Sequence, residues 1–532
     1  MKKVIPFIIA LPALFLVFVF KVIPGVFSVI VSTKDYNIFK GISGSESVGL
    51  SIYSELFGKD GFTGVIMNTV RLSAFSIILT CIFAVILIIC ISRLPWRWLK
   101  LVSMGILSIP ALIPALSFVW VFSGMLSPST GIIGKLLSSA GGPPRFLMAE
   151  PALYPFLFAI MDSLRNVYIP VIIGVLIYEY SERIDFRRVA FVILGYIAAR
   201  ATILMTPDIE NIFSSSSPLT SKTSQVMDLF IFRSGLQQMQ LSVASAAWVL
   251  KTIIQLAINI VVFFVLCFLA PSITSAVGQL KKRTNGGPGS IIGIIGYILF
   301  AAGSVAMIVL TFIPSSGGLA DGLKLLLGDR NFMMAFTNSI IYSILICIIY
   351  GFAAFTLACP MTVSTKVYPF ILLILLSLSN NFVGEYMFFR GLGLINTVFP
   401  MVISSGFSIA GAFALYFCVS AKLEQGSSDL GQYVKASLLP LLSIVIIAFI
   451  ANGGGYLYQI IYFGKQSMDG LGLFGYKLLT SVAGADSQLP VDGIKSAFIF
   501  IFSIVPAVLG AILIALNKFL PLSAFTAQIR KG

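Results

Sequence analysis

The chain has 532 residues, of which 58% are hydrophobic and 10% are charged, and its mean hydropathy is +1.01. This composition excludes an ordinary soluble globular domain, in which about 25% of the residues are charged. The net charge of +15 does not indicate nucleic-acid binding, because the cations lie in short loops between apolar segments and form no basic domain.

Apolar segments recur along the whole chain, each about 20 residues long, which is the length that crosses a bilayer as a helix. They predict an all-α, polytopic transmembrane bundle of about twelve spans. We expect spans near 4–32, 64–91, 101–122, 151–178, 189–205 and 243–270, then near 291–313, 334–359, 367–389, 398–420, 437–461 and 495–517. The first segment is longer than the apolar core of a signal peptide, which favours an uncleaved span.

A basic, glycine-rich stretch divides the chain into two blocks of similar length. Residues 281–290 contain three adjacent cations followed by glycines and a proline, which predicts a polar linker between the halves 1–280 and 291–532. Phe62 precedes Asn68-Thr69 with the spacing at which Phe332 precedes Asn338-Ser339. Six spans in each half would make the halves parallel repeats. An ordinary loop in an undivided bundle is the alternative interpretation.

The positions of the charged residues also predict the orientation of the chain. Lysines and arginines gather in alternate short loops, the pattern of cytoplasmic loops, and this places both termini in the cytoplasm. The six cysteines lie within or at the ends of apolar segments without metal-ligand spacing, so we interpret them as small hydrophobic residues.

Several short motifs carry a resemblance to a known family. In the first half they are Thr33-Lys34-Asp35-Tyr36-Asn37, Asn68-Thr69, Met205-Thr206-Pro207-Asp208-Ile209-Glu210 and the run from Asp228 to Leu236. In the second half they are Asn338-Ser339, Gly391-Leu392-Gly393-Leu394-Ile395-Asn396-Thr397 and Leu439-Pro440. The chain resembles two permeases of a type I ABC importer for carbohydrates joined in tandem, a lipoprotein/polysaccharide-type permease of Gram-positive bacteria and its partner. The resemblance implies that permease fold, the bacterial cytoplasmic membrane with its lipid, and an extracellular solute-binding protein or lipoprotein as partner.

The loops that would engage an ATPase depart from this family. Its members carry a coupling loop with Glu-Ala-Ala, Asp-Gly-Ala and Leu-Pro between the fourth and fifth spans. The corresponding residues here are Glu182 and Asp185 in the first half, and Glu424, Gly426, Asp429 and Pro440 in the second. We interpret them as vestigial coupling loops or plain charged turns, so a cytoplasmic ATPase is a doubtful partner.

No catalytic pattern, cofactor motif or metal-ligand cluster is evident, so neither an enzyme nor a cofactor is expected. Charged and polar residues within spans are functional candidates, because burial of such groups is costly. They are Asp162, Arg165, Asn166, Asn380, Asn381 and Glu385. A structural clamp, either Asp162–Arg165 or Arg165–Glu385, is the alternative to a substrate cavity.

A second group of candidates follows three glycines inside a predicted span. Gly453-Gly454-Gly455 is expected to interrupt a helix beside a cavity. Tyr456, Tyr458 and Gln459 come next and resemble the polar-aromatic segment that lines the family's sugar path. An interfacial belt of tyrosines is the alternative.

Two functions remain open at this stage. The first is a fused carbohydrate permease that engages an extracellular solute-binding protein, with its coupling to an ATPase weakened or lost. The second is a permease-derived, ATP-independent scaffold or receptor that anchors extracellular proteins in the membrane.

Overall fold

The computed structural model describes residues 4–58, 61–92, 97–128, 131–140, 145–179, 186–278, 319–364, 366–420, 430–480 and 493–503, with Leu94, Ile298 and Val508. The linker 281–290 lies outside these residues, as do the span expected near 291–313 except Ile298 and residues 504–517 of the last expected span except Val508.

The regular elements of the described residues are helices, apart from one short strand pair. The helices of residues 4–140 are Ile5–Val17, Ile23–Val31, Gly41–Gly44, Ser51–Gly58, Phe62–Ser92, Arg97–Leu112, Ala115–Met125 and Ile132–Ser139. Those of residues 145–278 are Tyr154–Asn166, Tyr168–Glu179, Phe186–Ala201, Ile209–Ser215, Ser221–Ser224, Met227–Phe232 and Leu241–Gly278. Those of residues 319–503 are Leu319–Gly328, Arg330–Ala358, Val367–Leu376, Phe382–Gly391, Val398–Gly406, Ile409–Ser420, Leu430–Asn452, Leu457–Tyr462, Leu471–Thr480 and Gly493–Ser503.

Shorter elements complete the description. The 3-10 helices are Leu147–Ala149, Pro218–Thr220, Cys359–Thr362 and Gln466–Met468, and the π-helical turns are Phe18–Val22 and Arg233–Gln237. The strands Lys34–Asp35 and Glu46–Ser47 pair antiparallel, with Lys34 opposite Ser47. The short helix Ser51–Gly58 buries Ile52 and Leu56.

Five helices of the described residues are long and apolar enough to cross a membrane, and three bent helix pairs raise the number to as many as eight. The five are Ile5–Val31, Phe62–Ser92, Leu241–Phe268, Arg330–Thr362 and Leu430–Ile450. The protein is therefore a polytopic, all-helical membrane protein, as the sequence predicts. The number of twelve spans remains a prediction.

Several expected spans are interrupted within their length. The span expected near 101–122 breaks before Ala115, because Pro114 lacks an N–H and has an extended backbone. The span expected near 151–178 consists of two helices bent by 42°, and the one near 398–420 of two bent by 40°. The span near 367–389 is unwound at 377–381, where Asn380 has a φ of 55°.

The three glycines interrupt a helix as expected. The helix Leu430–Asn452 ends before Gly453, and Leu457–Tyr462 starts after a short irregular segment. Gly454 and Gly472 allow close packing there, because a Cβ atom on Gly472 would lie 2.6 Å from the Gly454 carbonyl oxygen. Irregular backbone inside a membrane span is stable only where protein or a water-filled cavity satisfies its polar groups.

The N-terminal helix, Ile5–Val31, packs between elements from both predicted halves. Its last part contacts Leu241–Gly278 and Phe382–Gly391, and its first part contacts Arg330–Ala358. Gly384 permits this approach, because a Cβ atom there would collide with the Pro24 carbonyl oxygen and with the Ser28 hydroxyl. The core of the bundle thus joins residues that lie far apart in the chain.

The two Asn-hydroxyl pairs named from the sequence make equivalent contacts. The Asn68 amide donates to the carbonyl oxygens of Lys222 and Gln225 at 2.8 and 3.3 Å, and the Thr69 hydroxyl accepts from the Met227 N–H at 2.9 Å. Met227 is the first residue of the helix Met227–Phe232.

In the second half the same arrangement recurs. The Asn338 amide donates to the carbonyl oxygens of Ser467 and Asp469 at 2.9 and 3.0 Å, and the Ser339 hydroxyl accepts from the Leu471 N–H at 2.7 Å. Leu471 begins the helix Leu471–Thr480. Each pair therefore attaches a long helix to the start of a shorter one.

Candidate functional site

A cavity of about 370 Å³ with a mixed polar and apolar wall lies where the N-terminal helix and the helix Ile209–Ser215 meet the second half. Its volume falls within the range of roughly 300–1,000 Å³ that is typical of small-molecule sites. The polar residues of its wall are Lys21, Glu210, Ser339, Tyr342, Ser379, Asn380, Ser404, Ser405, Ser408, Asn452, Tyr458 and Gln459. Its apolar residues include Val17, Ile346, Leu375, Leu376, Met401, Phe407 and Ile409.

Six of the nine candidate pathway residues lie at or directly behind this wall. Asn380, Tyr458 and Gln459 line the cavity. Three others contact or adjoin a lining residue. They are Tyr456, whose N–H donates to Glu210; Glu385, which binds Lys21; and Asn381, which follows Asn380.

The unwound segment 377–381 forms one side of the cavity and is fixed by buried contacts. Lys251 and Asp228 are fully buried, and the Lys251 Nζ lies 2.7 Å from an Asp228 carboxylate oxygen. Lys251 also donates to the Ser379 carbonyl oxygen at 3.0 Å, and the Asn380 amide donates to the other Asp228 oxygen at 2.7 Å. The ion pair therefore satisfies the Ser379 carbonyl oxygen, which the break in the helix leaves without a helical partner, and it also holds the Asn380 side chain.

Asn381 and Glu385 attach the next helix to the N-terminal helix. The Asn381 side-chain oxygen Oδ1 accepts from the Gly384 N–H at 3.0 Å, which caps Phe382–Gly391, and from the Ser28 hydroxyl at 2.8 Å. The Lys21 Nζ lies 2.6 Å from a Glu385 oxygen. Glu385 is completely buried, and its carboxylate neutralises the positive charge of Lys21 at the cavity wall.

Glu210 reaches across from the first half to the start of the helix Leu457–Tyr462. Its Oε1 accepts the backbone N–H groups of Tyr456 and Leu457 at 2.9 and 3.1 Å, two donors that a helix start leaves unpaired. The pKa of the Glu210 carboxyl is raised to about 7, mainly by burial. The two N–H donors lower this pKa, and the negative charge of Asp208 raises it. Part of the side chain nevertheless faces the cavity.

Neither of the two clamps considered as alternatives is formed. Asp162 and Arg165 share a helix, but Asp162 lies 3.2 Å from Arg200, and Asn166 donates to the Asp162 backbone carbonyl. The Arg165 guanidinium instead donates to the Asn211 side-chain oxygen at 2.6 Å and lies 3.6 Å from Asp208.

The side-chain directions explain this difference. Arg165 also donates to the Ile113 carbonyl oxygen, beside the break at Pro114, and lies 5.6 Å from the Phe118 ring. Arg165 thus provides a donor for a backbone carbonyl at a second helix break, and it points away from Asp162. The proposed bridge from Arg165 to Glu385 is excluded by the Lys21–Glu385 pair. These three first-half residues, Asp162, Arg165 and Asn166, do not line the cavity.

The coupling-loop candidates Glu182, Asp185, Glu424, Gly426 and Asp429 lie outside the described residues. Pro440 is described, and it lies inside the helix Leu430–Asn452 rather than at the end of a loop.

Sequence reasoning missed Glu210, Asp228 and Lys251 as parts of the site. Glu210 and Asp228 occur in the motifs quoted for the resemblance, and that was the available signal. Lys251 lies in the long apolar helix Leu241–Gly278. Its signal was its position, because an ionisable residue within a span is a functional candidate.

Comparison with known proteins identifies one similar permease by sequence. No family model matches the chain. The chain is 24% identical over 276 residues to the polygalacturonan/rhamnogalacturonan transport system permease protein YteP of Bacillus subtilis (strain 168), and the match covers 47% of this chain and 84% of the relative. The chain is therefore similar in sequence to a carbohydrate transport permease.

Two solved structures of bacterial ABC transporters also resemble the chain. One is an alginate ABC transporter in complex with an alginate pentasaccharide-bound periplasmic protein, at 20% identity over 42% of this chain and 84% of that chain, with a TM-score of 0.39. The other is an ABC transporter involved in the import of the acidic polysaccharide alginate, at 19% identity over 50% of this chain and 94% of that chain, with a TM-score of 0.43.

Proposed function

We propose that the protein is the membrane subunit of a carbohydrate importer in which two permease halves, 1–280 and 291–532, are joined by the linker 281–290. The equivalent contacts of Asn68-Thr69 and Asn338-Ser339 support the repeat. So does the match to a relative of which 84% corresponds to 47% of this chain.

The cavity carries the functional part of the proposal. It takes Lys21 and Glu210 from the first half and the rest of its polar wall from the second. Serine hydroxyls and amides suit the hydroxyl groups of a sugar, and the faces of Tyr342, Tyr458 and Phe407 suit its apolar ring faces. The protein acts here as a carrier and performs no chemistry on the sugar.

The remaining parts of the proposal concern partners. An extracellular solute-binding protein or lipoprotein delivers the sugar, both termini face the cytoplasm, and lipid surrounds the spans. Coupling to an ATPase is weakened or lost. Only residues 180–185 separate the helices that end at Glu179 and begin at Phe186, and only 421–429 separate the helices that end at Ser420 and begin at Leu430. A helical turn uses about 3.6 residues and its ends need capping, so the first connection leaves little room for a coupling helix.

Filling the cavity tests the proposed route. Ser405→Trp places an indole in the cavity wall. Phe352→Trp is the control, because Phe352 also lies in a helix but does not line the cavity and is 41% exposed. We expect oligosaccharide uptake by cells to be lost with Ser405→Trp and retained with Phe352→Trp at equal membrane abundance. Uptake at the unaltered rate by Ser405→Trp would exclude the cavity as the route.

The short cytoplasmic connections also favour the second candidate, an ATP-independent scaffold or receptor. Purification of the native complex from membranes separates the two. Extracellular proteins without an ATPase, together with no uptake by the unaltered protein, identify the scaffold. Two copies of an ATPase identify a conventional importer and refute the loss of coupling.

A further inference from the structure

The positive and negative charges around the cavity do not balance. If the cavity is the sugar site proposed above, this imbalance restricts the charge of the sugars that it can bind. Among its described lining residues Lys21 is the only cation, and Glu385 neutralises it at 2.6 Å. The Lys251–Asp228 pair behind Asn380 is likewise neutral as a pair. Glu210 therefore contributes the unbalanced charge of the wall, and above about pH 7, where its carboxyl is ionised, this charge is negative.

Arg165 does not change this balance. Its field reaches Glu210, but its guanidinium lies 3.6 Å from Asp208 and donates to Asn211, and it is not a lining residue. A ligand carboxylate in the cavity would therefore approach Glu210 without a free cation beside it. Like charges at short range repel strongly where water is scarce.

The uncommitted polar atoms of the wall match a neutral sugar. Glu210 uses Oε1 for the two backbone N–H groups, while its Oε2 has no hydrogen-bond partner among the described residues. The Tyr458 hydroxyl has none among them either, and its ring stacks on Tyr462 with centroids 6.3 Å apart. A sugar hydroxyl can donate to the carboxylate, and such charge-assisted hydrogen bonds are the stronger ones.

We infer that this cavity accepts uncharged, hydroxyl-rich saccharides and that Glu210 selects against sugars that carry carboxylates. The chain would then differ from its relative, whose name gives polygalacturonan and rhamnogalacturonan as cargo. Glu210 has two roles in this inference, since it accepts a ligand hydroxyl and rejects a ligand anion.

Matched disaccharides test the inference on the full chain in lipid nanodiscs at pH 8 and low salt. The three pairs are galactobiose with digalacturonate, cellobiose with diglucuronate, and mannobiose with dimannuronate, and the members of a pair differ only in oxidation at C6. Equilibrium dialysis measures each Kd. In any pair that binds, we expect the neutral member to bind at least about tenfold more tightly, which corresponds to 1.4 kcal/mol.

Two variants locate the selectivity. Glu210→Gln keeps the acceptor for Tyr456 and Leu457 and removes the charge, so the ratio within a pair should fall to about threefold or less. Ser405→Lys adds a cation to the wall and should strengthen binding of the acidic member about tenfold or more. Glu46→Gln, on an exposed strand, is the control and should leave the ratio unchanged.

The possible results are distinguishable. Acidic members that bind as tightly as neutral ones overturn the charge inference and leave the sugar site intact. A ratio that neither Glu210→Gln nor Ser405→Lys changes also overturns it. Binding of no member of any pair overturns the proposed sugar site, and the inference falls with it.

Discussion

The buried Asp228–Lys251 pair gives the sharpest test of how the cavity wall is held. Both side chains are 0% exposed, and the Lys251 Nζ lies 2.7 Å from Asp228. At an effective dielectric constant of about 20, unit charges at this distance attract by roughly 6 kcal/mol, most of which offsets their desolvation. Removal of one partner leaves the other charge buried, which costs roughly 3–5 kcal/mol.

We therefore expect Asp228→Asn and Lys251→Met each to lower the free energy of unfolding by about 3–5 kcal/mol. The double variant removes both charges and keeps an acceptor for Asn380, but the Ser379 carbonyl oxygen loses its Lys251 donor. We therefore expect it to be less stable than the unaltered protein by only about 1–3 kcal/mol, well below the sum of the single variants. Reversible unfolding in mixed micelles gives the three values and the coupling energy.

The exposed Arg145–Glu150 pair is the control. Its atoms are 3.4 Å apart and its side chains are 60% and 30% exposed, so its coupling energy should not exceed about 1 kcal/mol. If the double variant at Asp228 and Lys251 is as unstable as the sum of the single variants, the two charges do not stabilise one another and the reasoning is refuted.

Three further predictions follow from individual contacts. Coupling energies from double-mutant cycles should exceed about 1 kcal/mol for Asp162 with Arg200 and be smaller for Asp162 with Arg165, since Arg200 makes the contact. Gly384→Ala should lower the free energy of unfolding by about 1–3 kcal/mol, because its methyl group would collide with Pro24 and Ser28 on the N-terminal helix. The raised pKa of Glu210, about 7 against an ordinary 4.5, means that the folded protein binds a proton more tightly than the unfolded chain. Stability should therefore fall as the pH rises from about 4.5 to 7, and Glu210→Gln should remove this fall.

Each of these predictions has its own control and contrary result. Equal coupling energies for Arg165 and Arg200 would support the clamp that the sequence suggested. Gly391→Ala is the control for Gly384, since no atom lies within 4 Å of its Cβ position, and equal effects at the two sites would exclude the collision. A pH profile that Glu210→Gln leaves unchanged would assign the titration to another group.

The sequence by itself determined the class of the protein, because span length and apolar composition are local properties of the chain. Phe62–Ser92 and Arg330–Ala358 appear close to where the hydropathy places them, and the Asn68-Thr69 and Asn338-Ser339 pairs already mark equivalent positions. The glycines at 453–455 predicted the interruption beside the cavity, because glycine has a local conformational preference.

Only the tertiary structure decided which charges pair and what the cavity contains. Lys21 meets Glu385 across 364 residues of sequence, whereas Asp162 and Arg165, three residues apart on one helix, find partners elsewhere. A buried charge is stabilised by whatever lies nearest in three dimensions, and sequence spacing limits that choice only within a helix. Glu210 shows the same principle, since its role depends on a helix start that is 246 residues away in the chain.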